Sequence, residues 1–247
     1  MLIDSLSKLT PKELLVICGR APEIISECEE KDKILNYMQI KAENGDREFN
    51  AMLGLLYFDD KDQSENLSQS IKFLTIAAEG GLDFAQFCLG WGYSNIVGAS
   101  EDLSKAIEWY TKAAQQGSAD AQNNLGYLYH YGKGVPQNYE KAIEWYSKAA
   151  QQGLADAQNN LGYLYYKGKD LPQDYAKALE LYNKAAQQGI AEAQNNLGHM
   201  YHYGKGVPQN YEKAIEWYNK AAQQGLAETQ EILGYMYRNW QRCFSRL

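Results

Sequence analysis

AIEWYTKAAQQGSADAQNNLGYLYHYGKGVPQNYEK, residues Ala106–Lys141, is written again from Ala142, from Ala178 and from Ala214, at a period of 36 residues without a slip. Self-similarity at that spacing is the signature of a repeat array, in which one supersecondary unit buries its apolar face only by stacking on its neighbours. The 247 residues are therefore counted in units rather than in domains.

Each regular unit splits into two predicted helices. Helix A covers about Ala119–Tyr131, after which Gly132, Gly134 and Pro136 break the pattern where a turn needs positive φ and a fixed proline φ. Asn138 is placed to cap helix B, which runs from Tyr139 to about Gln152, and Gly153 stands where a left-handed residue closes it. At ~100° per residue, Tyr139, Ala142, Ile143, Tyr146, Ala149 and Ala150 share one apolar sector of helix B, with Trp145 at its edge. On helix A the buried sector is Ala121, Leu125, Leu128 and Tyr129, with the small Gly126 at its margin.

Outward from this core the pattern degrades. Ala77-Ala78, Gly81, Leu89-Gly90 and Tyr93 hold the register one unit earlier, and Gly45, Leu53-Gly54 and Tyr57 hold it two units earlier. Both early units lack the Gly-Lys-Gly-Val-Pro loop. Residues 1–33 do not match the repeat; Thr10-Pro11-Lys12-Glu13 reads as a capping box with proline at the first helical position, so a pair of capping helices is expected there. The repeat array is expected over 34–237, and Arg238, Arg242 and Arg246 lie on one face of a C-terminal capping helix over 238–247.

A net charge of -7 argues against a broad phosphate-neutralising surface, and so against nucleic acid as a partner. The N-terminus has charged residues among its apolar ones, and no run is long enough for membrane insertion. Cys18, Cys28, Cys88 and Cys243 do not recur at the repeat period, which reads as reduced thiols in a cytoplasmic setting, in its own cell or delivered to a host. No nucleophile has a histidine fixed near it by a recognisable motif, and no phosphate loop follows a strand. The reading is of a protein that is not an enzyme and has no cofactor. His199 and His202 share a helix face and leave a metal or small-molecule site open as an alternative, but Tyr163 and Tyr166 hold the same positions one unit earlier, so no metal is expected.

The segments Ala121–Gly153 and Ala193–Gly225 resemble the Sel-one-like repeat, a relative of the tetratricopeptide repeat with a longer inter-helix loop. The likeness rests on Leu-Gly-x-x-Tyr in helix A, the Gly-x-Gly-Val loop, Lys-Ala-x-x-Trp-Tyr-x-Lys-Ala-Ala in helix B and the closing glycine. It implies an all-α fold, an α/α solenoid forming a right-handed superhelix of helix-turn-helix repeats. It also implies a scaffold or adaptor for protein complexes, in signalling or in host interaction. The run LTPKELLVICGRAPEIISECEEKDKI is similar to the latter helices of F-box-like segments, which would imply a substrate adaptor of a ubiquitin ligase; the preceding Leu-Pro-x-Glu helix is not recognisable in residues 1–9.

With one sector of helix A buried, the opposite sector is expected to line the concave groove. In one unit it comprises Asp120, Asn123, Tyr127, His130 and Tyr131, and in the next Asp156, Asn159, Tyr163, Tyr166 and Lys167. Glu192, Asn195, His199, His202 and Tyr203 follow, then Glu228, Glu231, Tyr235, Arg238 and Asn239. Phe84, Phe87 and Trp91 form an aromatic end in the second unit. Tyrosine and tryptophan offer rigid contact area, asparagine can pair with a peptide backbone, and the carboxylates form an acidic edge. The expected partner is a protein or peptide with basic and apolar side chains.

Overall fold

The computed structural model of the chain describes residues 31–59, 64–95, 100–168, 170 and 172–244. The Thr10 capping box and the F-box-like run through Cys18 and Cys28 lie outside them. Among the described residues there are twelve helices and no strand, the element order of an all-α helical-repeat solenoid. The first five are α1 (Lys31–Glu43), α2 (Arg47–Asp59), α3 (Ser64–Glu79), α4 (Asp83–Asn95) and α5 (Ser100–Gln115). They are followed by α6 (Ala119–Tyr131), α7 (Tyr139–Gln151), α8 (Ala155–Lys167) and α9 (Tyr175–Gln187). The last three are α10 (Ala191–Tyr203), α11 (Tyr211–Gln223) and α12 (Ala227–Phe244). Even-numbered helices are helices A and odd-numbered ones helices B. The capping segment expected after Tyr237 continues α12 rather than opening a new helix.

Two compact units are present, one ending at Ala121 and one starting at Gln122. In the first, Met38, Ala42, Phe49, Met52 and Leu53 form one buried cluster, with Tyr37 edge-on to Phe49. A second cluster joins Ala51, Leu74, Ala77, Ala78, Ala85, Leu89 and Trp109. In the second unit, buried Ala142, Tyr146, Leu161 and Leu164 form one cluster, and Ala178, Tyr182, Ala193, Leu197 and Met200 belong to another. Ala121, Leu125 and Leu128 are buried and Tyr129 half-buried, as the helical spacing predicts.

The loops show why the helices stop where they do. The Asn138 side chain accepts from the Lys141 amide at 2.8 Å, and Asp174 and Asn210 repeat that cap for α9 and α11. One residue earlier, the Gln137, Gln173 and Gln209 amides donate to the carbonyls of His130, Tyr166 and His202, in the last turns of their helices. Asp170 takes φ 54° where the other regular loops have Gly134 and Gly206, a left-handed conformation that costs a side-chain-bearing residue more than it costs glycine.

Two contacts pin helix to helix. The first is steric: a Cβ on Gly126 would lie 2.5 Å from Tyr146 Cδ1, and one on Gly162 would lie 2.9 Å from Tyr182 Cε1. Gly198 stands in the same way beneath the Tyr218 ring, and Gly90 beneath Tyr110. The second is polar. Gln86, Gln122, Gln158 and Gln194 are buried, and each accepts from the glutamine that follows the next helix B (Gln116, Gln152, Gln188, Gln224) at 2.9–3.0 Å. Gln86 and Gln194 also donate back to Ala78 and Ala186 in the helix B before them, at 3.0 and 3.3 Å. A buried amide thus has its hydrogen bonds on both sides, as its low exposure requires.

The steric contact yields a paired expectation. At Gly126 the Tyr146 ring is fully buried and cannot swing away, so Gly126→Ala lowers stability by about 1–3 kcal/mol through overpacking. At Gly234 the nearest atom to an added Cβ is Arg238 Nη1 at 3.7 Å, and among the described residues no tyrosine ring lies against it. Gly234→Ala therefore raises stability by about 0.5–1 kcal/mol through helix propensity. Urea denaturation midpoints of the two variants, moving in opposite directions, are the check.

Candidate functional site

In the unit ending at Ala121, α4 presents half-buried Phe84 and Phe87 and exposed Trp91, 40% accessible. Phe87 and Trp91, with Leu55 of α2 and Cys88, line an apolar cavity of about 280 Å³. Burial pushes the Cys88 thiol up to about 12, so it stays protonated and packs as an apolar group. Asp120 stands exposed in the first turn of α6.

In the unit beginning at Gln122, the asparagines of the row belong to a ladder. Asn160 Nδ2 donates to Asn123 Oδ1 and Asn196 Nδ2 to Asn159 Oδ1, each at 3.1 Å, and Thr229 Oγ1 donates to Asn195 Oδ1 at 3.0 Å. Neighbouring helices A are thereby tied side by side. The expectation that these amides read a partner's backbone needs correcting at Asn195, which is buried at 6% exposure.

His130, which its helical angle assigns to the groove, is instead buried at 7% exposure. Its ring lies 4.2 Å from Tyr131, 5.6 Å from Tyr139, 6.0 Å from Tyr163 and 6.2 Å from Tyr146, centroid to centroid. The angle of a residue on its own helix does not register rings arriving from the following helix B and the next helix A, and those rings close over His130. Tyr127, Tyr163, Tyr131, Tyr203 and Tyr235 are exposed, whereas Tyr166 is half-buried with its ring 5.4 Å from Tyr175. Beneath the row sit fully buried Tyr146 and Tyr218, whose hydroxyls have no hydrogen-bond partner among the described residues. Burial first, and the nearby phenols Tyr131 and Tyr127 second, push the Tyr146 hydroxyl far above its ordinary value.

His199 and His202 are half-buried among tyrosines. His199 lies parallel to Tyr203 and edge-on to Tyr218, and His202 is stacked on Tyr203 and edge-on to Tyr211. Burial lowers the pKa of both below 6.5. Among the described residues, no group of three or more histidines, cysteines and carboxylates is placed to hold a metal ion.

Sequence reasoning places Lys167 on the row but misses Lys133 and Lys205. Lys133 Nζ donates to the Tyr127 hydroxyl at 2.9 Å and lies 4.8 Å from its ring centroid. Lys167 lies 5.4 Å from Tyr163, and Lys205 lies 5.6 Å from Tyr175. Lys133 and Lys205 sit in loops, off any helical wheel; the signal was their return at the repeat period. Asp156, Glu192 and Glu228 are exposed in the first turns of α8, α10 and α12, at the opposite ends of those helices.

Comparison with known proteins places this geometry. The Sel1 repeat family model matches residues 48–82, 84–118, 119–154, 155–190 and 191–226. A protective antigen of uropathogenic Escherichia coli strains, displaying an SLR fold, is 37% identical with a TM-score of 0.76 over 82% of this chain. The match spans 44% of that antigen's length. A Sel1 repeat protein from Oxalobacter formigenes is 30% identical with a TM-score of 0.72, over 84% of this chain and 85% of its own. An immunity protein from Pseudomonas aeruginosa, 19% identical with a TM-score of 0.52, covers 87% of this chain and 85% of its own and shares the fold alone. No curated protein matches. Among the described residues no helix is long and apolar enough to cross a membrane.

The histidines carry a pH dependence whose sign follows from their burial. A histidine whose folded pKa is depressed favours the neutral form in the native state, so its contribution is present above the unfolded value of 6.5 and is lost as pH falls through the folded value. Stability is expected to decline below about pH 6.5. The double change His199→Tyr and His202→Tyr, which installs the residues found at Tyr163 and Tyr166, makes that decline shallower. Denaturation midpoints of both proteins measured across this pH range test it; parallel curves would assign the acid sensitivity elsewhere.

Proposed function

The chain belongs to the Sel1 repeat family, and on that premise we propose that it is a non-catalytic scaffold or adaptor that holds a peptide or protein partner on its helix-A face. Sel1 repeats generally serve as protein-interaction scaffolds. The observation that carries the reading here is the set of exposed aromatic side chains at one repeated position of helix A. Trp91 is 40% exposed, Tyr127 and Tyr163 39% each, and Tyr235 62%. Such side chains bring large contact area with few rotamers to freeze, which is why they dominate binding hot spots. Open to water, such rings in each unit are surface suited to being covered.

The rest of the chemistry agrees with binding rather than catalysis. The buried Cys88 thiol is held protonated, and both half-buried histidines are packed between rings. The carboxylates Asp156, Glu192 and Glu228 supply attraction for cationic groups on the partner. A cytosolic setting, its own or a host's, belongs to the same reading, since the cysteines do not follow the repeat as structural disulfides would.

The test is a pull-down with the full chain as bait, followed by the triple variant Trp91→Ala, Tyr127→Ala and Tyr163→Ala. All three side chains are substantially exposed, so the variant keeps its circular dichroism spectrum and melting behaviour. Loss of about 2 kcal/mol at even one hot spot corresponds to roughly thirtyfold weaker binding, enough to empty the pull-down. A partner that stays bound with undiminished affinity would overturn the assignment of this face.

A further inference from the structure

The charges on the two sides of a unit are arranged differently. On helices B, Lys112, Lys148 and Lys184 are paired at i,i+4 with Glu108, Glu144 and Glu180. On the helix-A face of the unit beginning at Gln122, the charges are sorted instead. Asp156, Glu192 and Glu228 stand where helices A begin, and Lys133, Lys167 and Lys205 stand where they end. Among the described residues none of these six belongs to an ion pair. Between the two edges lie the open rings of Tyr127 and Tyr163 and the asparagine ladder.

Dimensions narrow the occupant. Asp156 and Lys167 are eleven residues apart on α8, which at about 1.5 Å per residue sets the edges roughly 16 Å apart. An α-helix, about 10–12 Å across with its side chains, can reach both edges with lysine or glutamate. The ladder holds neighbouring helices A in contact, so equivalent positions recur about every 8–10 Å. A helix laid across them repeats one face every seven residues, about 10.5 Å. An extended strand repeats a face about every 6.8 Å and falls out of step. A polyproline II chain, at about 9.3 Å per turn, keeps step but is too slim to meet both edges.

Resting on the reading of this face as a partner site, the geometry points to one occupant: an amphipathic α-helix of the partner laid across helices A. Its apolar side lies on the tyrosine row, its cationic flank over Asp156, Glu192 and Glu228, and its anionic flank over Lys133, Lys167 and Lys205. Turning such a helix end for end exchanges its flanks, so the two edges fix the direction in which it lies as well as strengthening its hold.

The probe is a synthetic peptide of about three heptads with leucine on one face, lysine on one flank and glutamate on the other, carrying a nitroxide at its N-terminus. Its control is an isomer of the same composition with lysine and glutamate mixed on both flanks. Against the full chain the sorted peptide is expected to bind about tenfold tighter than the isomer at low salt, a gap that narrows as salt is raised. The nitroxide should broaden the resonances of one end of the unit, around Tyr127 or around Tyr235. A sixfold variant, Asp156→Lys, Glu192→Lys, Glu228→Lys, Lys133→Glu, Lys167→Glu and Lys205→Glu, exchanges the edges at exposed positions. It should move the broadening to the other end. Equal or undetectable binding of the two peptides, or a label that does not move, overturns the inference. If that happens while the Trp91, Tyr127 and Tyr163 variant still loses its partner, the face binds by another arrangement; if that variant keeps its partner, the underlying reading has failed as well.

Discussion

A tyrosine ring of helix B laid against a glycine of helix A is the contact on which each regular unit depends. The ring of Tyr146 occupies the space that any side chain at position 126 would need, and the same holds for Tyr182 over Gly162. Close approach of two helices is the gain; loss of helix propensity at the glycine is the cost. The pairing varies where the array does. In the early unit Gly54 meets Leu74 instead of a tyrosine, and at Gly234 an added Cβ meets only the end of the Arg238 side chain among the described residues. The ring also has a second end. The Tyr146 ring stands edge-on to His130 at 6.2 Å, and His130 in turn packs 4.2 Å from Tyr131 and 6.0 Å from Tyr163. The residue that sets helix spacing is thus also the floor under the exposed aromatic row, so the row is as rigid as the fold.

Polar ladders complete the interior without leaving amides unsatisfied. The glutamine ladder repeats because each member needs a carbonyl before it and an amide after it, and both are supplied by the adjoining helices B. Departures are compensated locally. Asn50, standing where later units have glutamine, donates to Ala42 at 3.1 Å and does with a shorter side chain what Gln86 does to Ala78. In α12, Ile232 replaces the ladder asparagine, and Thr229 supplies the hydrogen bond to Asn195 in its place. Such substitutions are what a buried acceptor enforces, since losing its donor would expose the full desolvation penalty.

How much of this could be read from the sequence follows from which interactions are local. Helix limits were legible because Gly132, Pro136, Asn138 and Gly153 act on their own neighbourhood, and α6 ends and α7 begins and ends where those residues say. The buried sector of helix A was legible because it needs no more than the helical period. His130 and Asn195 were misread because their burial comes from rings and hydroxyls of other helices, which no single-helix angle contains. The glutamine ladder escaped notice for a related reason: glutamine is usually exposed, and its role is visible only when both flanking helices are in place. Lys133 and Lys205 were hidden by lying in loops, whose geometry carries Lys133 back over the Tyr127 ring six residues before it and Lys205 over Tyr175 of the preceding helix B.

Near-identity between copies bears on what the inner face selects. Units 118–153 and 190–225 differ at five positions, and two of these, Asp120 against Glu192 and Tyr127 against His199, lie on the inner row. Each exchange keeps its kind, acid for acid and ring for ring, while Lys133 returns unchanged as Lys205. A charge that has no ion-pair partner within the protein is well solvated while the face is open and loses much of that solvation when it is covered. A surface with opposite charges sorted to its two edges therefore discriminates mainly by penalty. A partner with matching flanks replaces the lost water, whereas one with neutral or like-charged flanks must bury unpaired lysines and carboxylates. The aromatic row provides adhesion that many apolar surfaces could use; the sorted edges restrict which of them can use it.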